Sequence, residues 1–370
     1  NWAFKNYGLI STARYAQARW VLEKRWKGMN TLRFGADQFY SREKTVFTDY
    51  NGQAYPETVT DNLSAGFAET DFYLTNDVAV RLGGRLEYSS LMKRWNLAPR
   101  ASLAYKFPDN SQASFAYGIF YQNPERRYLP AFHSDLGYAR STHYILQYQK
   151  IDNQRTFRAE LFYKNYDNLF KTANNAIGRL VAASNNGYGY ARGVEFFWRD
   201  RKTIPNFDYW ITYSLLDTKR DFLNYPVSMQ PNFAAKHTAS LVMKKFVLPW
   251  KTGFNASYSF ASGRPYFDLA YDQAQGKYIV RDQGKTINFN SLSFSLNYLP
   301  NLGKQNKKAF IVWVLSVNNV LGQNQVFGYN YSSAGDRKVP ILPPSRRFVF
   351  IGCFMNFGID RTQDAINNNL

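Results

Sequence analysis

The chain has 370 residues, of which 45% are hydrophobic and 18% aromatic, and a formal charge of +19, with a mean hydropathy of -0.46. Its longest apolar run, residues 310–315, is far short of the roughly 18 to 20 apolar residues that a membrane-crossing helix needs, which excludes helical spans. Low mean hydropathy is compatible with a β-barrel, because alternate residues of a barrel strand face a wet lumen.

Residues 1–13 read as the remainder of an outer loop or as a truncated strand. From 14 to 357 apolar residues recur with period two. Strands are predicted to begin near Ala16, Thr31, Ser64, Val78, Leu97, Gln112, Ser141, Thr156, Tyr188, Phe207, Thr238, Gly253, Ser291, Ala309 and Arg346, about fifteen in all. In 78–89, Val78, Val80, Leu82, Leu86 and Tyr88 oppose Ala79, Arg81, Arg85, Glu87 and Ser89. In 97–107, Leu97, Ala101, Leu103, Tyr105 and Phe107 oppose Ala98, Arg100, Ser102 and Lys106. In 291–298, Leu292, Phe294, Leu296 and Tyr298 alternate with Ser291, Ser293, Ser295 and Asn297. One face is oily and the other wet, and most segments reach the roughly nine to eleven residues that a tilted strand needs to cross lipid. Residues 358–370 form a tail.

The connections alternate in length. Short turns are expected at 28–30, 75–77, 108–110, 152–154, 202–205, 248–250 and 301–308, and longer loops at 47–62, 123–137, 167–187, 217–235, 263–286 and 323–344. Only 91–95 breaks the rule. Short periplasmic turns and long outer loops are the habit of outer-membrane barrels. The fold class is therefore all-β, an antiparallel transmembrane β-barrel. Fifteen strands, the last running inward, place the chain start outside, whereas bacterial barrels have even strand numbers. Strands eight to twenty-two of a plugged twenty-two-stranded barrel satisfy that parity.

Cys353 is the only cysteine, so no intrachain disulfide forms. The basic residues are scattered, not gathered on one patch or helix, which argues against nucleic acid. Arg33, Arg81, Arg85, Arg100, Lys106, Arg158 and Lys164 all fall on predicted inward faces. A low-dielectric wall carrying one sign of charge would concentrate anions; alternatively these cations pair with Asp37, Glu87 and Glu160. Trp95, Tyr128, Phe132, Tyr266 and Tyr271 fall near predicted loops, where they can touch a ligand or anchor the membrane interface. His133, His143 and His237 are tied to no Ser and Asp by spacing, and His133 with Asp135 makes only two metal ligands on a loop. No catalytic residue, metal or cofactor is assigned.

Several stretches, taken together and in order, resemble the barrel of TonB-dependent receptors. They are VRLGGRLE at 80–87, YARGVE at 190–195, KHTAS at 236–240, SVNNVL at 316–321 with Phe327 to Tyr329 following, and PPSRRF at 343–348 leading to Gly352 and Phe357. The last strand also resembles a barrel-assembly signal in Gly352, Met355 and Phe357, although Phe350 stands where a polar residue is usual. The resemblance implies an outer-membrane receptor of a Gram-negative bacterium that takes up a scarce nutrient, such as a metal chelate, a vitamin or an oligomer. It implies outer-membrane lipid, the barrel-assembly machinery and TonB as partners, TonB acting through a plug domain. No segment here resembles the plug or the TonB box. The alternatives are a free-standing porin-like or hydrophobic-compound channel of fourteen or sixteen strands, with 1–13 as a further strand, and a barrel enzyme such as a protease or phospholipase.

Overall fold

The structure, a computed structural model, describes residues 2–4, 7–125, 128, 136–174, 180–272, 274–304, 309–332 and 334–357. A three-residue stub, β1 (Trp2–Phe4), is followed by β2 (Tyr7–Arg25), β3 (Thr31–Thr48), β4 (Ala54–Tyr73), β5 (Val78–Ser89), β6 (Arg94–Lys106) and β7 (Ser111–Gln122). Next come β8 (Ala139–Asp152), β9 (Arg155–Asn174), β10 (Leu180–Asp200), β11 (Phe207–Asp221), β12 (His237–Val247) and β13 (Thr252–Ala261). The hairpin β14 (Pro265–Asp272) and β15 (Lys277–Lys285) precedes β16 (Phe289–Tyr298) and β17 (Ala309–Asn318). A second hairpin, β18 (Gly328–Tyr331) and β19 (Lys338–Ile341), precedes β20 (Phe348–Phe357).

All strands but the two hairpins form one sixteen-stranded sheet in the order β1 to β13, β16, β17, β20, each strand antiparallel to the last. Apart from the stub, every strand of this sheet corresponds to a predicted one. Among the described residues no ladder joins β20 to β1 or β2, so the sheet is an open wall. No helix among the described residues is long and apolar enough to cross a membrane.

Two expectations change. Several strands are longer than their oily alternation: β2 starts at Tyr7, inside the segment set apart as 1–13, and β4 starts at Ala54. Beyond the lipid band both faces meet water, so the period-two signal fades while the backbone ladder continues, as in the pairs Thr45 with Glu57 and Arg42 with Thr60. For the same reason the outer loops at 263–286 and 323–344 conceal the hairpins β14–β15 and β18–β19.

Register sorts the side chains into two faces. Leu103, Phe115, Leu146, Leu161, Val194 and Leu215 are paired in turn across β6 to β11 and form one continuous apolar row. Leu103, Phe115, Leu146 and Leu161 are exposed. A soluble protein rarely leaves so large an apolar patch in water, and lipid is the medium that covers it. Aromatic belts bound this band. Tyr117, Tyr144 and Tyr163 are paired at the long-loop end, and Tyr148, Phe157 and Trp198 follow one another at the short-turn end. A wall has little core, and the buried apolar clusters are small. One, Phe246, Leu299 and Leu302, closes the short-turn end, and another, Met92 with Tyr138, sits under the tight outer turn at 90–93.

Candidate functional site

The seven cations expected to face inward do share the face opposite the lipid row. Arg33, Glu69, Gly83, Arg100, Gly118, His143 and Lys164 are successive cross-strand partners from β3 to β9. Three cations far apart in sequence thus stand on one hydrogen-bonded row, with glycines between them over which neighbours close: a Cβ at Gly118 would meet the Phe120 ring at 3.0 Å, and one at Gly83 would meet Glu69 at 3.2 Å. Arg81 and Arg85 flank that row on β5, while Lys106 and Arg158 lie nearer the short-turn end.

The row divides by what its cations touch. On β3 to β5 the three inward arginines, Arg33, Arg81 and Arg85, are neutralised by carboxylates. Arg33 donates Nε to Glu23 at 2.7 Å and a terminal nitrogen to Asp71 at 3.0 Å. Arg81 holds Asp71, with Glu69 3.6 Å away, and Arg85 bridges Asp37 at 2.5 Å and Glu87 at 2.6 Å. On β6 and β9 three of the seven cations lie on aromatic rings instead. Arg100 sits 4.8 Å from the Phe120 centroid, Lys164 5.1 Å from Phe162, and Arg158 5.8 Å from Phe197. Among the described residues none of these three, nor Lys106, forms an ion pair. Asp37 and Glu87 thus act as partners, as expected. Among the described residues Glu160 forms no ion pair and faces Glu195 and Gln147 across its two ladders.

A groove of 250 Å³ opens between the two halves, lined by Arg81, Arg100, Ser102, Phe120 and His143 among others. His143 makes a 2.7 Å hydrogen bond between Nε2 and the Ser141 hydroxyl, and its ring packs 4.6 Å from Phe120. His237 shares a 2.9 Å hydrogen bond through Nδ1 with the Tyr213 hydroxyl. Among the described residues no group of three or more potential metal ligands occurs. His133 and Asp135 lie outside the described residues.

The loop candidates scatter. Trp95 is a correction: it lies within β6, on the lipid face, its ring 4.8 Å from Tyr88 across the ladder. It reads as an interface anchor. Tyr128 is buried, and Phe132 lies outside the described residues. Tyr271 packs on Tyr278 within its own hairpin at 5.5 Å. Tyr266 is the centre of a dock between the two outer hairpins: its ring lies 4.5 Å from Tyr329, and its hydroxyl accepts from Lys338 Nζ at 2.9 Å. Lys338 also reaches Asp282 at 3.2 Å, and Tyr331 donates to the same carboxylate at 2.6 Å. Burial, then the Asp282 charge, holds the Tyr331 phenol above its usual range, while that hydroxyl and Lys338 hold Asp282 below the usual carboxylate range.

At the chain's last strand, Met355 and Phe357 pair with Ile311 and Ala309 on the lipid face, whereas Gly352 pairs with Val314 on the opposite face. A Cβ at Gly352 would meet the Phe350 ring at 2.7 Å. The apolar Phe350 thus covers the glycine. Of the aromatic companions, Phe162 is two residues from Lys164 and so legible from period two. The meeting of Arg100 with Phe120 needs the register.

Comparison with known proteins gives the same architecture. No curated protein sequence matches. The YddB outer membrane transporter from Escherichia coli superposes with a TM-score of 0.70 at 13% identity, covering 94% of this chain and 54% of that one. The ferric yersiniabactin uptake receptor FyuA from Yersinia pestis gives 0.68 at 14% identity, covering 95% and 56%. The ferripyoverdine receptor of Pseudomonas aeruginosa gives 0.67 at 12%, covering 95% and 49%. This chain therefore spans about half the length of these solved structures, and the likeness is one of fold. The family described as "TonB dependent receptor-like, beta-barrel" matches residues 2–320, and with that match, the two-faced wall and the loop asymmetry, the chain belongs to the TonB-dependent receptor β-barrels of the Gram-negative outer membrane.

Proposed function

We propose that this chain forms barrel wall of a receptor that imports an anionic nutrient, a metal chelate in the first place, in a TonB-dependent way, with the plug contributed outside this chain. The observation that carries the reading is the split row. Arg33, Arg81 and Arg85 are spent on carboxylates, while Arg100 and Lys164 lie on rings with no ion pair among the described residues. A guanidinium resting on a ring keeps its edge free for a carboxylate or a similarly charged chelate oxygen, and low-dielectric walls strengthen that attraction. Family membership and the transporters sharing the fold support uptake as the activity.

The test is accumulation of radioactive iron, supplied as ferric citrate and as a ferric catecholate, by cells carrying the intact gene with and without TonB. We expect uptake of one probe that requires TonB and that falls about tenfold in R100Q/K164Q, as two lost charge contacts would give. Equal uptake without TonB would make the protein a free-standing channel. Uptake that depends on TonB but ignores R100Q/K164Q would remove the anionic substrate and keep the receptor.

A further inference from the structure

The lipid side of the wall holds a second arrangement that substrate passage does not use. A groove of 680 Å³ runs over β7 to β11 on the outward face, floored by Phe115, Leu146, Leu161, Val194 and Leu215. One row nearer the long loops the apolar side chains give way to Tyr144, Tyr163, Arg192 and Asp217, which are successive cross-strand partners. Arg192 donates Nε to Asp217 at 2.8 Å, yet its side chain is 62% exposed. Its guanidinium lies 5.4 Å from the Tyr190 ring centroid, and among the described residues its remaining N–H donors meet no other acceptor. Lys236 lines the same groove, and Lys219 stands one row further out, opposite Tyr190. Both lysines are exposed, and among the described residues neither forms an ion pair.

Other acids on this face do not neutralise the rim. Asp221 is held by Lys171, and Asp167 faces Arg140 across the β8–β9 ladder. Tyr190 lends its hydroxyl to Asp217 at 3.4 Å. Three cations therefore stand against one engaged carboxylate, beside an oily groove and at the level of the tyrosine belt, where lipid headgroups lie.

We infer that this groove is a binding site for an anionic, phosphate-bearing acyl lipid of the outer leaflet. An acyl chain lies on Phe115, Leu146 and Leu161, and the headgroup phosphate accepts from Arg192, Lys236 and Lys219. Charge complementarity selects the lipid: a zwitterionic headgroup brings its own cation to the basic rim. The groove opens sideways onto the bilayer, so its occupant arrives from the membrane and not from solution. The inference is independent of the transported substrate and rests only on residence in the outer membrane.

The test uses the intact protein in mild detergent doped with lipid A, a diphosphorylated acyl disaccharide, and native mass spectrometry to count retained lipid. Wild type retains lipid A in preference to its dephosphorylated form and to phosphatidylcholine. R192Q/K236Q lowers retention about tenfold or more, as the loss of two surface cations predicts, and R192K/K236R restores it. Each variant is first checked for the native gel-mobility shift before heating. The proposal is overturned if R192Q/K236Q retains lipid A as wild type does, if the dephosphorylated lipid binds equally, or if R192K/K236R fails to restore binding while keeping the native shift. Displacement of the lipid by millimolar inorganic phosphate would also overturn it, by marking a site for free anions.

Discussion

Arg81 grips Asp71 at two points across the β4–β5 ladder, Nε to Oδ1 at 2.5 Å and a terminal nitrogen to Oδ2 at 3.1 Å. The same carboxylate accepts from Arg33 at 3.0 Å and from the Thr31 hydroxyl at 3.1 Å. One acid thus ties three strands together, and its side chain is only 15% exposed against 52% for Arg81. Asp71→Asn leaves two guanidinium groups without their acceptor charge and is expected to cost about 1–2 kcal/mol, discounted for the wet lumen face. Arg81→Met, at the exposed end, costs less. Thermal unfolding in detergent followed by circular dichroism ranks the two, and the opposite order would show that Asp71 is not the shared anchor.

Gly193 has no room for a side chain. A Cβ there would lie 2.0 Å from the Leu215 carbonyl oxygen and 2.7 Å from the Phe162 ring. Backbone of the neighbouring strand cannot yield without opening the β10–β11 ladder, so Gly193→Ala is expected to destabilise by about 3 kcal/mol or more. Its readout is the fraction of chain that regains the folded gel mobility after dilution from urea. Gly84, with open space around its Cβ position, provides the control, and Gly84→Ala should fold as wild type.

At the short-turn end, the Lys150 ammonium donates to Asp109 Oδ2 at 2.8 Å, and the hydroxyl and amide of Ser111 donate to Oδ1. Lys150 first, then Ser111, holds the Asp109 carboxyl well below the usual carboxylate range. A depressed folded value means that the carboxylate's contribution is complete above the unfolded value of about 4. It is lost as pH falls from there through the folded value. A carbon-detected titration of Asp109 is expected to show a midpoint below that of a model peptide, moving upward in Lys150→Met. An unchanged midpoint in that variant would assign the depression to Ser111 alone.

Trp95 belongs to the membrane interface. After Cys353→Ser removes the only native thiol, Trp95→Cys carrying a spin label should relax faster with oxygen, which partitions into lipid, than with a water-soluble nickel chelate. The same label at Arg100, on the opposite face by ladder parity, should show the reverse. Equal behaviour at both sites would contradict the assignment of faces.

Much of this wall was legible residue by residue. Leu82 and Arg81 could be assigned to opposite faces because adjacent side chains of an extended strand point in opposite directions, and that parity is local. The unequal connections marked the two ends for a similarly local reason: turn and loop lengths are properties of the chain. The hairpin holding Tyr266 is hidden in the sequence because it lies beyond the lipid band, where Tyr266, Asp268 and Asp282 meet polar partners and no oily alternation marks a strand. Trp95 borders the break at 91–95 in the sequence pattern, yet the ladder with Tyr88 carries it into β6.

Composition, period and parity were enough to establish a membrane wall with a lipid face and a wet face, since each follows from the geometry of a single strand and the solvents on its two sides. That Arg33, Arg100 and Lys164 share one row, that Asp71 serves two arginines, and that Arg192 and Lys236 border one groove were decided by register. Register is a relation between strands. It depends on where each ladder begins and on the bulges and glycines along it, so residues distant in sequence meet only once the sheet has formed.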